Sequence, residues 1–161
     1  MAGDVEPVPE GIPRLATRLV FKDATAAIAF YQEAFGATVR EEPHKAPDGK
    51  VVHSEVWFGD SVVFMTDEGE GEDRNGVAPS SVGGLVTAIM ALNVPNVDAL
   101  WERAVAAGCE VVYPLADQFY GDRAGRLRDP FGHQWMLSTH IEDVDRDEID
   151  RRMQGWSEQQ D

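Results

Sequence analysis

Tyr120-Gly-Asp-Arg-Ala-Gly-Arg-Leu-Arg-Asp-Pro-Phe-Gly-His-Gln-Trp-Met136 sets three arginines ahead of an Asp-Pro-Phe-Gly turn, then an aromatic-rich arm. Proline fixes one φ angle and glycine supplies the left-handed conformation that a β-carbon resists, so the run predicts a β-hairpin. An earlier run, Phe58-Gly-Asp-Ser-Val-Val-Phe64, has the same plan and overlays Phe131-Gly-His-Gln-Trp-Met-Leu137. Working outward, Ala26-Ala-Ile-Ala-Phe30 and Gly36-Ala-Thr-Val39 answer Val97-Asp-Ala-Leu-Trp101 and Gly108-Cys-Glu-Val111. The chain is thus internally doubled.

Each copy reads as a strand, a helix and three strands. Leu15 to Phe21 alternates as a half-buried strand, and Asp23 caps a helix over Ala24 to Phe35 whose Ala27, Ile28, Tyr31 and Phe35 recur at helical spacing. Thr38 to Glu41 is a strand, Pro47-Asp-Gly49 a turn, and Lys50 to Phe58 with Ser61 to Thr66 a hairpin around Gly59-Asp60. In the second copy, Leu85 to Val94, a helix opening at Val97-Asp98 and stopped by Gly108, Glu110 to Tyr113 and the 125–138 hairpin follow in the same order. Neither copy buries both sheet faces alone. The expected fold is α+β, with two tandem βαβββ modules (about 14–67 and 84–140) forming a curved mixed sheet around a concave cleft. Residues 1–13 are expected to be a flexible tail and 68–83 a solvated linker. Residues 141–161 form an acidic C-terminal helix and tail, with a capping box at Asp145-x-x-Glu148 and Ile149, Met153 and Trp156 at helical spacing.

At 161 residues and 43% hydrophobic content the chain suits one domain with a full core. No apolar run approaches the ~18 residues that span a bilayer, and Met1 to Pro13 lacks the pattern of a signal peptide. The lone cysteine, Cys109, cannot form an internal disulfide, so a soluble cytoplasmic protein is expected, with no membrane partner. The net charge of −15 gathers in the N-terminal tail, in 67–75 and in 141–161, which hold twelve of those charges. With no basic stripe, nucleic acid is excluded as an expected partner.

The doubled unit resembles the vicinal oxygen chelate superfamily, which includes glyoxalase I, extradiol dioxygenases and bleomycin and fosfomycin resistance proteins. Phe21 to Ala37, His53-Ser-Glu-Val-Trp-Phe-Gly-Asp60, Tyr120-Gly-Asp-Arg123 and Asp129-Pro-Phe-Gly-His133 are similar to its PhnB-like branch. The resemblance implies that metal-dependent members take one His, Gln or Glu from the first and last strand of each module. Counted from the helix starts and hairpin glycines, those positions fall at Ala16, Val63, Ile89 and Met136. None supplies the oxygen or nitrogen that a divalent ion requires, so no metal and no cofactor is expected there, leaving only a nonstandard metal site.

Alternation over 51–58 puts Val52, Val56 and Phe58 on one face and His53, Glu55 and Trp57 on the other. His53 and Glu55, ~7 Å apart along one strand side, can serve as an acid and base pair; an ordinary histidine on a polar face has the same pattern. The overlay sets Arg126 opposite His53 and Arg128 opposite Glu55, as ion-pair partners or as receptors for a polar ligand. Arg18, Asn93 and Gln134 share the parity of the four apolar positions, and Trp57, Phe119 and Tyr120 are expected aromatic ligand contacts. Trp135 is expected under the helices, Arg123 on Asp122 or Asp129, and His133 at the surface.

Three functions fit this sequence. The first is a metal-free small-molecule-binding protein, acting as a homodimer and resembling antibiotic-binding members. The second is a lyase or isomerase using His53 and Glu55 or a nonstandard metal. The third is an interaction module acting through the C-terminal helix.

Overall fold

Asp23 and Asn96 open two helices in the same way. Asp23 Oδ1 accepts from Ala26 N at 2.9 Å and Asn96 Oδ1 from Ala99 N at 3.1 Å, satisfying N–H groups that no helical carbonyl reaches. In a computed structural model, which describes residues 6–8, 11, 13–69 and 76–157, these caps begin α1 (Ala24–Phe35) and α2 (Val97–Ala106). Much of the expected tail 1–13 and the side chain of Trp156 lie outside the described residues. The chain divides into two compact units, Met1–Gly83 and Gly84–Asp161.

In the first unit, β1 (Thr17–Phe21), β2 (Thr38–Val39), β5 (Glu55–Phe58) and β6 (Ser61–Asp67) form a mixed sheet in the order β1-β6-β5-β2, while β3 (His44–Lys45) and β4 (Val51–His53) make a separate ribbon. α1 covers one sheet face. Tyr31 is fully buried, with its ring edge-on to Phe21, Phe35 and Phe58. Burying each such side chain contributes about 1.5–3 kcal/mol.

The strand expected over 50–58 is interrupted at Ser54, which reverses the alternation ahead of it: Val51 is 1% exposed and Val52 51%. Ser54 is itself buried, and its Oγ donates to Met65 O while Met65 N donates to Ser54 O. The segment before it therefore leaves the β5 register and pairs with β3. The linker expected over 68–83 also carries structure. Glu68 accepts from Ala78 N and Ser81 Oγ, fastening a 3-10 turn over Pro79–Val82, and those donors hold its carboxyl below the usual range.

The second unit repeats the plan with β7 (Ile89–Asn93), β8 (Glu110–Asp117), β9 (Asp122–Arg128) and β10 (Gln134–His140) in the order β7-β10-β9-β8. Trp135, Leu127 and Leu137 are buried on the α2 side, as expected for Trp135. The hairpin is organised by Asp129, 3% exposed, whose Oδ1 accepts from Phe131 N and His133 N and whose Oδ2 accepts from Trp135 Nε1. This chelation draws His133 inward to 7% exposure, where a surface residue was expected. α3 (Arg146–Ser157) follows, with Asp145 capping Glu148 N.

The modules match down to how each last strand holds its helix. Ala24 N donates to Asp67 Oδ1 at the end of β6, and Val97 N to Thr139 Oγ1 near the end of β10. The strand overlay nevertheless needs correction. Trp57 pairs with Val62 and Glu55 with Phe64, just as Arg128 pairs with Gln134 and Arg126 with Met136. Five residues separate Arg128 from Gln134 where four separate Trp57 from Val62, and this extra residue slips the overlay. Arg126 thus corresponds to Glu55 and Arg128 to Trp57. Val63, in register with Thr17 and Val56, faces α1, and the positions equivalent to Gln134 and Met136 are Val62 and Phe64.

Candidate functional site

Each sheet has one face covered by its helix and one turned away from it. On the uncovered face of the first unit, Arg18, Phe64 and Glu55 lie side by side across β1, β6 and β5. His53, beyond the Ser54 break, packs edge-on to Phe64 at 5.1 Å between centroids and stacks on His44 at 6.1 Å. Its Nε2 lies 3.8 Å from Glu55 Oε1, with the two side chains 34% and 35% exposed. The fold thus brings His53 and Glu55 together through the interruption rather than by strand periodicity. At this separation the pair makes no hydrogen bond, and both groups remain open to water. Trp57 does not serve as an open aromatic wall: it is 3% exposed beneath Arg40, whose guanidinium carbon lies 3.4 Å from the ring centroid. Trp57 Nε1 is buried without an acceptor among the described residues.

The uncovered face of the second unit carries Ile89, Ala91 and Asn93 on β7, Gln134, Met136 and Ser138 on β10, Arg126 and Arg128 on β9, and Tyr113 on β8. Pro114 lacks the N–H that a ladder needs, and the β8–β9 register shifts on both sides of Tyr113. That irregularity sits on the edge strand, and beside it opens a cavity of about 500 Å³ lined by Tyr113, Pro114, Gln118, Tyr120, Arg126 and Met136, with Ala124 and Gly125. Gln118 Nε2 donates to the carbonyls of Ala116 and Ala124, fixing one rim. Tyr120 stacks edge-on against Phe119 at 5.2 Å. Burial and the Asp122 carboxylate raise the Tyr120 pKa, keeping the phenol a hydrogen-bond donor.

The three arginines of β9 differ in their partners. Arg123 donates to Asp98 on α2 and to Asp117 on β8, a structural clamp whose partners are not the expected Asp122 or Asp129. Arg128 Nη1 is 3.3 Å from Glu110 Oε2, while its Nε is buried without a hydrogen-bond partner among the described residues. Arg126 lies over Tyr113 at 5.0 Å, and its Nε is buried without a hydrogen-bond partner among the described residues. Asn93 is engaged, accepting from Ser138 Oγ at 2.6 Å, while Gln134 sits between Arg128 and Ile89 in the pairing.

The residues at the metal positions that the superfamily resemblance implies do not fit a divalent ion. Ala16, Ile89 and Met136 offer no oxygen or nitrogen donor, and neither do Val62 and Phe64 in place of Val63. Among the described residues no group of three or more His, Cys, Asp or Glu is arranged to hold a metal ion. Sequence reasoning missed Tyr113 and Gln118 as cavity residues. The Tyr113-Pro114 pair was the available signal, since proline within a strand marks an edge or a bulge.

The model of the Glyoxalase/Bleomycin resistance protein/Dioxygenase superfamily matches residues 11–137. An uncharacterised protein of Mycobacterium bovis is 39% identical over 142 residues, covering 88% of this chain and 92% of that protein. Among solved structures, TioX from Micromonospora sp. ML1 is similar with a TM-score of 0.63 and 26% identity, over 80% of this chain and 99% of TioX. A PhnB protein of Bacillus cereus has a TM-score of 0.60 at 17% identity, over 79% of this chain and 99% of that one, a likeness of fold alone.

Proposed function

Because the chain belongs to the Glyoxalase/Bleomycin resistance protein/Dioxygenase superfamily, we propose that it is a metal-free small-molecule-binding protein whose ligand sits on the uncovered face of the second module. One observation carries the reading: the cavity of about 500 Å³ that joins Tyr113, Tyr120 and Met136 to the buried, unpartnered Arg126 Nε. Concave, largely apolar sites with a few convergent polar groups are what small ligands occupy. We place the protein in the PhnB-like branch, acting as a cytoplasmic homodimer that sequesters a toxic compound or metabolite. Its lone cysteine and the absence, among the described residues, of a helix long and apolar enough to cross a membrane support that setting.

A thermal-shift screen of the full chain against a small-molecule panel tests the reading. Compounds that stabilise the protein should lose their effect in Met136→Trp, which fills the cavity. If no compound stabilises it, or Met136→Trp leaves every hit unchanged, the site is elsewhere.

A second reading is favoured by one distance, the 3.8 Å between His53 Nε2 and Glu55 Oε1. Here the pair transfers a proton on a ligand held at the first module, with Arg18 beside it. Metal analysis of the purified protein tests the nonstandard-metal form of this reading: one tightly bound divalent ion per chain, lost in His53→Ala, would replace the first reading with a nonstandard metal enzyme.

A further inference from the structure

We propose that the ligand is a planar aromatic carboxylate, with Arg126 receiving the carboxylate and Tyr113, Tyr120 and Met136 holding the ring. The inference rests on the small-molecule reading above and names its ligand class. Charge comes first: Arg123 is satisfied by Asp98 and Asp117, and Arg128 has a carboxylate in Glu110 although its Nε is buried without a partner, whereas Arg126 has no carboxylate partner within its module among the described residues. In a chain with 29 acidic and 14 basic side chains, leaving this guanidinium beside a cavity without a counter-ion runs against composition. A buried guanidinium N–H requires an acceptor, so an incoming anion supplies what the fold omits.

Geometry then selects the anion. A guanidinium presents two parallel N–H groups that match the two oxygens of a carboxylate. No lysine lines the cavity to spread positive charge around a phosphate. The remaining walls are flat or soft: the exposed Tyr113 ring, the Tyr120 ring, Pro114 and the Met136 thioether. Tyrosine rings pack aromatic partners face-offset or edge-on, and methionine sulfur favours ring edges. A cavity of about 500 Å³ accommodates one or two fused rings. Tyr113 already lies against the Arg126 guanidinium, so a ring stacked on Tyr113 would carry its carboxylate to that group.

Isothermal titration of the full chain with 2-naphthoate, the neutral 2-naphthylmethanol and inorganic phosphate tests the assignment. Saturable 2-naphthoate binding is expected, about tenfold or more tighter than the alcohol, with Arg126→Met removing that preference by weakening 2-naphthoate far more than the alcohol. Arg126→Lys, which keeps charge without the fork, should fall between and guards against misfolding of the methionine variant. Phosphate should not displace naphthoate. If the alcohol binds as tightly as 2-naphthoate and both are lost in Met136→Trp, the binding site stands and the carboxylate assignment is wrong. Naphthoate binding that is absent at millimolar concentration, or indifferent to Arg126→Met and Arg126→Lys alike, also overturns it. Displacement by phosphate would reassign the group as a general anion receptor.

Discussion

Asp129 shows how much one residue can organise. Its carboxylate accepts from two backbone N–H groups and the Trp135 indole while 3% exposed, so Asp129→Ala strands the buried His133 N and Trp135 Nε1 and the partly buried Phe131 N. A loss of about 2–4 kcal/mol in chemical denaturation is expected, and a loss below 1 kcal/mol would show that water replaces the carboxylate. Cys109 behaves oppositely, with nothing to do but pack. Burial, aided by the nearby Asp129 charge, pushes its thiol up to about 12. It should therefore resist thiol reagents at pH 8 until the protein unfolds. Rapid labelling of the native chain would contradict that environment.

His140 operates between residue and element. Asp143 and Asp122 contact its two ring nitrogens at 3.0 and 2.8 Å and raise its pKa above the ordinary 6.5. The charged imidazole thus ties the start of β9 to the chain entering α3. That contribution is complete below about pH 6.5 and fades as pH rises through the raised value. NMR titration of His140 should give a midpoint above 6.5, and Asp143→Asn should lower it. A midpoint unmoved by that change would show that the contact is not populated.

At the scale of elements, glycines permit the close approaches. A β-carbon on Gly125 would lie 2.6 Å from the Trp101 ring of α2 and 2.9 Å from Leu115 Cα, so helix and sheet meet there because no side chain intervenes. Gly125→Ala should cost about 1–3 kcal/mol by denaturant titration, and a neutral outcome would mean that Trp101 can rotate away. α3 is held more lightly. Arg152 donates to Glu142, Glu148 and Phe119 O, and Ile141 N and Glu142 N both donate to Gly121 O. These contacts reach the turn that carries Tyr120. Met153 on α3 remains 45% exposed.

For the whole molecule, the acidic excess lies mostly outside the two βαβββ modules and leaves their arginines to act locally. Cutting the chain after His140 removes α3 with its exposed Met153. If α3 contributes to self-association, sedimentation velocity should show a weaker assembly at equal concentration. An unchanged profile would confine the proposed dimer contact to the modules.

The doubling, the helix limits and the apolar character of the expected metal positions were legible in the sequence. They rest on local rules: a capping side chain, a stopping glycine, and a repeat whose copies carry the same turn. The break at Ser54 and the extra residue in the connection at Asp129 were not legible, because a strand break or an extra turn residue shifts facing by one position without altering composition. Only tertiary pairing decided that Val63 faces α1, that Trp57 lies beneath Arg40, and that His53 reaches Glu55 across an interruption. The same holds for the opening hairpin. Sequence places three arginines on one strand, but which of them lacks a carboxylate partner depends on Asp98, Asp117 and Glu110, brought in from other elements. Pairing among side chains distant in sequence is a property of the folded arrangement, and that arrangement singles out Arg126.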